Sequence, residues 1–254
     1  MTVHFIGAGP GAHDLLTLRA VRLLREAPVC LYAGTYLDAQ VLGHCPPQAR
    51  LVDTQHLDLD EITAILVQAH ADGHDVARLC SGDPSIYSAV AEQTRRLDAA
   101  GVPWDVTPGV PAYAAAAAAI GRELTVPEVA QTVVLTRAQR DSTKLPPGED
   151  LDAYAATGAT LVLHLAIRHT RRLAQQLAGH YGPDCPVVVG SQVSQPSELI
   201  LRGTLADIAD QVEAAGLRQA AVIIVGRALA AEAFVDSHLY SSRRSGRPAG
   251  DGLA

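Results

Sequence analysis

A short apolar segment, Val3-His4-Phe5-Ile6, runs straight into Gly7-Ala8-Gly9-Pro10-Gly11, and the proline inside that glycine turn limits what the chain can fold around. A strand, a turn of the form Gly-x-Gly-x-x-Gly/Ala and a helix make a dinucleotide fingerprint, in which bare backbone N–H groups and a helix N-terminus cradle a pyrophosphate. Gly7, Gly9 and Ala12 fit that spacing. Pro10 spoils it, because proline has no N–H to donate and fixes φ at about −65°, so the turn loses a phosphate donor and becomes a stiff corner. The second strand, 29–32, is followed by Ala33-Gly34-Thr35 and not by the acidic residue that would hold a ribose hydroxyl. The turn suits a smaller ligand that carries no pyrophosphate.

Two more loops share this construction. Ser81-Gly82-Asp83-Pro84 follows a strand pattern at 75–80, and Thr107-Pro108-Gly109-Val110-Pro111 follows one at 104–107. Helical spacing of apolar residues appears between the strands: Leu15, Leu18, Leu23 and Leu24 within 13–26, and Ile62, Ile65, Leu66 and Ala69 within 58–72. A helix is expected over 85–99, with Pro84 at its first turn, and an alanine-rich one after Pro111. A weaker strand is expected at 50–53. Alternation of this kind implies an α/β fold with a mainly parallel sheet covered on both faces. Ligands of such sheets sit outside the carboxyl ends of the strands, where all three Gly-Pro loops fall. Asp83 is the carboxylate beside the loop glycines and is read either as a helix cap or as ligand-facing. The run 114–119 has no side chain larger than a methyl group, so it packs closely on the sheet or leaves room for a flat ligand.

Beyond Gly121 the pattern changes. Leu124-Thr125-Val126-Pro127-Glu128 reads as a connector, strands are expected at 132–136, 160–165, 186–191 and 221–225, and 198–202 suits an antiparallel partner before a helix at 205–215. The expected organisation is two α/β domains, 1–120 and 121–236, followed by a tail, 237–254, whose composition has no core-forming pattern and reads as disordered.

Composition excludes several classes. A content of 48% hydrophobic and 19% charged residues in 254 suits a globular chain. The longest apolar runs, such as 112–120 and 220–225, fall short of the roughly 20 residues needed to span a bilayer, and no charged-then-apolar signal opens the chain, so a soluble cytoplasmic protein is expected. A net charge of −7 argues against general nucleic-acid binding. Cys30, Cys45, Cys80 and Cys185 form no C-x-x-C, which points to buried thiols and away from a disulfide framework or zinc knuckle. His70 and His74 are spaced like helical metal ligands, but Gly73 stands between them and no third ligand is evident, so no metal is expected. No G-x-S-x-G elbow, Walker loop or paired-carboxylate motif is present, which removes the usual signatures of hydrolysis and phosphoryl transfer.

Taken as an ordered set, the segment from Val3 to Gly11, Ser81-Gly82-Asp83-Pro84-Ser85-Ile86-Tyr87 and Thr107-Pro108-Gly109-Val110 resemble the tetrapyrrole (corrin and porphyrin) methylases, from Thr2 to about Leu229. Leu31-Tyr32-Ala33-Gly34-Thr35, Glu123-Leu124-Thr125-Val126-Pro127 and the segment from Gln131 to Ala138 look most like the members acting at carbon 11 of precorrin-4 in cobalamin synthesis. The resemblance implies a homodimer of two-domain chains using S-adenosyl-L-methionine, folded in a cleft between domains. By position it implies cofactor contacts from Pro10, Ser81, Gly82, Asp83, Ile86, Tyr87, Pro111 and Ala112, and from the second half Leu165, Val193 and Gly226. Pro111 departs from the Thr or Ser usual in the family. Thr136 and Arg137 are the implied substrate contacts, with Arg137 pairing a substrate carboxylate and Arg122, Arg140 and Arg168 as further candidates. No catalytic base is assigned. The alternatives are methylation of another carbon of a corrin or sirohaem precursor, and a tetrapyrrole-binding protein without turnover.

Overall fold

A computed structural model of the chain describes residues 1–34, 37–139 and 144–237. Thr35, Arg140 and the tail beyond Ser237 lie outside the described residues. The first half runs β1 (Val3–Gly7), α1 (Leu18–Glu26), β2 (Val29–Tyr32), α2 (Ala39–Leu42), β3 (Arg50–Asp53), α3 (Leu59–Ala71), β4 (Val76–Cys80), α4 (Val90–Ala99), β5 (Trp104–Thr107) and α5 (Ala112–Ile120). Its five strands form one sheet in the order β3-β2-β4-β1-β5, and every pairing is parallel.

Side chains alternate across a strand, so each strand feeds two cores. Val3, Phe5, Val29, Leu31, Val76 and Cys80 pack with Ile62, Leu66 and Ala69 of α3 and Leu97 of α4. Ile6, Cys30, Ala77 and Leu79 pack with Ala20, Leu23 and Leu24 of α1 and Val41 of α2 on the other face. Leu24 and Leu66 are fully buried, and cutting either back to alanine would cost about 2–5 kcal/mol. This two-sided burial keeps β1 and β4 in register, Gly7 opposite Cys80, which places the first two glycine loops side by side.

Local chemistry sets the helix ends. The expected helix over 13–26 divides into a short 3-10 turn, His13–Leu15, and α1, because Thr17 is extended and its Oγ1 accepts the Ala20 N–H at 3.1 Å as an N-cap. Asp58 and Glu61 form a reciprocal capping box at the start of α3. That helix ends at Ala71, leaving His74 outside it, and Nδ1 of His70 lies 2.6 Å from the Met1 carbonyl oxygen. The helix expected over 85–99 begins only at Val90. Tyr87 and Ala89 have φ of 55° and 51°, and a helix cannot pass through residues held left-handed. The Ser88 hydroxyl donates back to the Asp83 and Ile86 carbonyls, which closes a turn where a helix was expected.

The second half contains β6 (Val133–Arg137), α6 (Leu151–Ala155), β7 (Thr160–His164), α7 (Thr170–Tyr181), β8 (Pro186–Ser191), β9 (Leu199–Thr204), α8 (Ile208–Ala214) and β10 (Ala221–Val225). Their sheet has the order β6-β7-β10-β8-β9 and is mixed: β6 runs parallel to β7, and β10 antiparallel to it. The chain groups into two compact units. One comprises Met1–Ile120, Gly190–Ile200 and Gln219–Val222; the other holds Gly121–Val189, Leu201–Arg218 and the chain from Ile223. Val193, expected with the second half, therefore belongs to the first unit. Among the described residues no helix is long and apolar enough to cross a membrane.

Candidate cofactor site

Three glycines at the ends of neighbouring strands meet main chain to main chain. A Cβ placed on Gly7 would fall on the nitrogen and Cα of Gly109 and 2.9 Å from the Gly82 carbonyl oxygen; one on Gly109 would strike the same oxygen and lie 2.8 Å from the Gly7 Cα. No larger residue fits either place, which is the physical reason for glycine there. Gly9 and Gly82 form an isolated antiparallel bridge, with Gly82 N–H donating to the Gly9 carbonyl at 2.8 Å and Gly9 N–H returning to Gly82 at 3.1 Å. Both adopt φ near +70°, at 71° and 67°.

Asp83 ties the second loop to the third. Its Oδ2 accepts the Gly109 N–H at 2.8 Å, and its Oδ1 accepts the Ser85 N–H at 2.9 Å and the Ser85 hydroxyl. Partial burial works against its charge, but the Ser85 and Gly109 donors outweigh that and hold its pKa below the ordinary value of 3.8. The carboxylate is thus engaged by its own loops and fixes their shape.

The first loop is held from a distant part of the sequence. The Ser194 hydroxyl accepts the Ala12 N–H at 3.0 Å, and Nε2 of Gln195 donates to the Pro10 carbonyl at 3.5 Å. Gln192 and Ser194 are left-handed, with φ of 45° and 67°, and the Ser194 N–H is bound by Glu198 at 2.7 Å. Ala8 N–H goes to the Cys80 carbonyl at 2.8 Å. Ala8, Gly9 and Ala12 therefore spend their N–H groups inside the protein, and Pro10 has none. A loop of this kind has no array of donors for a pyrophosphate and presents a shaped, mostly apolar edge instead.

Of the sequence-expected contacts of the first unit, Gly82 lies against Pro111 and Ala112. A Cβ on Gly82 would sit 3.6 Å from the Pro111 Cα and 3.7 Å from the Ala112 nitrogen, so the second loop lies against the start of α5. The Pro111 carbonyl accepts the Ala114 and Ala115 N–H groups at 3.1 and 3.2 Å and opens that helix. Ser81 and Tyr87 are exposed, Ile86 is half-buried and Val193 is buried. Of the alanine run, Ala115 and Ala116 are buried, and Gly190 lies so near Ala116 that an added Cβ would come within 3.1 Å of its methyl carbon; close packing is its role on this side.

In the second unit, Leu165 is exposed and left-handed at the end of β7, and Gly226, after β10, packs on Thr160. Thr136 is buried. Arg137 donates to the Ala138 and Lys144 carbonyls at 3.4 and 3.1 Å. Arg122 and Arg168 donate to the carbonyls of Ala231 and Arg218 at 3.0 and 2.9 Å, so both serve local structure. Among the described residues no cluster of three His, Cys, Asp or Glu side chains is placed to hold a metal ion. Sequence reading missed Ser194 and Gln195, since nothing in Ser-Gln-Val-Ser-Gln-Pro shows which remote loop it will meet.

A family model for Tetrapyrrole (Corrin/Porphyrin) Methylases matches residues 2–209. A Precorrin-4 C(11)-methyltransferase of Rhodococcus erythropolis is 58% identical over 244 residues, covering 96% of this chain and 98% of its own. Among solved structures, a cobalamin biosynthetic enzyme, cobalt precorrin-4 methyltransferase, superposes with a TM-score of 0.87 at 35% identity, over 90% of this chain and 95% of the other. The uroporphyrin-III C-methyl transferase of Thermus thermophilus complexed with S-adenyl homocysteine gives 0.76 at 30% identity, over 90% and 99%. The fused glycine loops, the phosphate-free corner at Pro10 and this similarity along nearly the whole chain place the protein in the tetrapyrrole methylase family.

Proposed function

We propose that the chain is an S-adenosylmethionine-dependent C-methyltransferase that methylates carbon 11 of precorrin-4, giving precorrin-5 in cobalamin biosynthesis. The observation that carries this reading is the 58% identity to a precorrin-4 C(11)-methyltransferase over nearly all of both chains. Identity to relatives named Cobalt-precorrin-4 C(11)-methyltransferase is lower, at 36%, which supports a metal-free macrocycle.

The residues present suit the cofactor. It carries no phosphate, and around Pro10 the Ala8, Gly9 and Ala12 N–H groups are spent inside the protein. Pro10, Ser81, Gly82, Asp83, Ile86, Tyr87, Pro111, Ala112, Leu165, Val193 and Gly226 are the proposed cofactor contacts. When bound, S-adenosylmethionine supplies a methyl group on a positively charged sulfur. The protein's share is alignment, and loops locked by Gly7, Gly82 and Gly109 keep ligand positions fixed without reorganisation. Thr136 and Arg137 are the proposed substrate contacts. A cytoplasmic homodimer belongs to the same proposal, with neither nucleic acid nor membrane as partner; fractionation and sedimentation check it.

Two measurements test the reading. Calorimetry with S-adenosylmethionine and S-adenosylhomocysteine should show binding of both, and binding of neither would remove the methylase assignment. Carbon NMR of the product made with a labelled methyl donor should place the label on carbon 11; a label elsewhere would move the chain to another step of tetrapyrrole methylation.

A further inference from the structure

Arg78 stands in the middle of β4 with its side chain in the core beneath α3 and α4, and only 8% of its surface is exposed. Its hydrogen-bond partners are all neutral. Nε donates to Oε1 of Gln93 at 3.0 Å, and Nη1 donates to the Thr54 hydroxyl oxygen and the Leu79 carbonyl, both at 3.3 Å. The neighbours are fixed as acceptors, since the Thr54 hydroxyl donates to the Tyr32 carbonyl and Nε2 of Gln93 to the Ala89 carbonyl, each at 3.0 Å. Among the described residues no carboxylate lies within ion-pair distance. The adjacent thiols bring no negative charge either: burial pushes Cys80 up to about 11 and a hydrogen bond with Cys45, together with burial, raises Cys30.

A guanidinium buried without a counter-charge is costly to keep, because its lost hydration is repaid by neutral dipoles alone. One end of it remains open. Nη2 makes no hydrogen bond, yet it is not among the side-chain atoms that are both fully buried and unpartnered. It therefore keeps access to solvent. Thr54 directly follows β3, and Gln93 lies in the first turn of α4, so the head group is directed to the carboxyl edge of the sheet, where the ligand loops emerge.

We infer that Arg78 is an anion seat that receives a peripheral carboxylate of the flat, polyanionic tetrapyrrole, its open Nη2 supplying the contact. This rests on the tetrapyrrole substrate proposed above. A carboxylate arriving there meets a charged donor already desolvated and oriented, the arrangement in which a charge-assisted hydrogen bond is strongest. It also gives the buried cation the counter-charge the fold does not provide.

Gln93→Glu tests this without removing the arginine, by placing a carboxylate inside the protein where Nε already points. The variant should unfold at higher urea concentration than the wild type. Its affinity for uroporphyrin, a soluble porphyrin polycarboxylate, should fall about tenfold, with a flatter salt dependence, while affinity for S-adenosylhomocysteine stays within about twofold. Arg78→Lys, which keeps the charge but loses the planar fork, should lie between the two. The methyl ester of uroporphyrin should not distinguish the proteins. Equal uroporphyrin binding by wild type and Gln93→Glu would overturn the seat and leave the substrate reading standing. A fall in S-adenosylhomocysteine binding instead would assign the carboxylate to the cofactor and overturn it as well. A wild type that binds no porphyrin carboxylate would remove the substrate reading, and the seat with it.

Discussion

Asp83 and Gly109 stand 26 positions apart in sequence and are joined by one short bond, the Gly109 N–H to the Asp83 carboxylate at 2.8 Å. The acid had two readings from sequence, helix cap or ligand contact. The structure shows it fastening one ligand loop to the next, and α4 starts too late for it to cap.

Replacing Asp83 by alanine leaves the Gly109 and Ser85 N–H groups without their acceptor. The fold should lose about 1–3 kcal/mol, read by urea unfolding, and S-adenosylhomocysteine affinity should drop at least about tenfold as the loops separate. Unchanged affinity in a destabilised protein would confine Asp83 to structure.

The same carboxylate makes stability depend on acid. Its folded pKa lies below 3.8, so its stabilisation is fully present above that value and is lost as pH falls through the lower folded one. The stability gap between wild type and Asp83→Asn should stay level from about pH 5 to 8 and close below about pH 4. A gap that persists at low pH would mean that charge is not what holds the loops.

Gly7→Ala forces a methyl group into the Gly109 main chain, where no side chain can rotate away. Loss of about 3 kcal/mol or more is expected, as for severe overpacking against backbone. Gly179→Ala, in the last turn of α7 with nothing within 4 Å of the new carbon, should instead gain up to about 0.5–1 kcal/mol from helix propensity. Urea denaturation of the pair separates a packing role from a generic glycine effect.

Ser194→Ala removes the acceptor of the Ala12 N–H. Stability should fall by about 1–2 kcal/mol, and cofactor affinity should weaken while α1 and its Thr17 cap stay intact by hydrogen exchange. Exchange that rises throughout α1 would point to a wider role for the serine.

The parallel first sheet was legible because its signal is local: apolar strands, helical stripes and Gly-Pro loops recur in order, and each strand end carries its own loop. Pro10 was legible for a chemical reason, the missing N–H. The start of α4 was not, since 85–99 has helical composition and the left-handed Tyr87 and Ala89 follow from bonds made around Asp83 and Ser88. Nor was the mixed second sheet, where β10 reads the same whichever way its neighbour runs. Arg78 was hidden for another reason. A single arginine in a strand looks like an exposed face until the two cores show that its side is covered.

The seating of Ala12 and Pro10 by Ser194 and Gln195 separates contiguity from completeness. A fragment ending at Ile120 would contain every residue of the three glycine loops and still expose the Ala12 N–H and the Pro10 carbonyl to water. The amino-terminal half is therefore no portable binding cassette; the loop that looks most self-sufficient in sequence is finished only after some 180 further residues have been made, by Ser194, which stands 182 positions beyond Ala12.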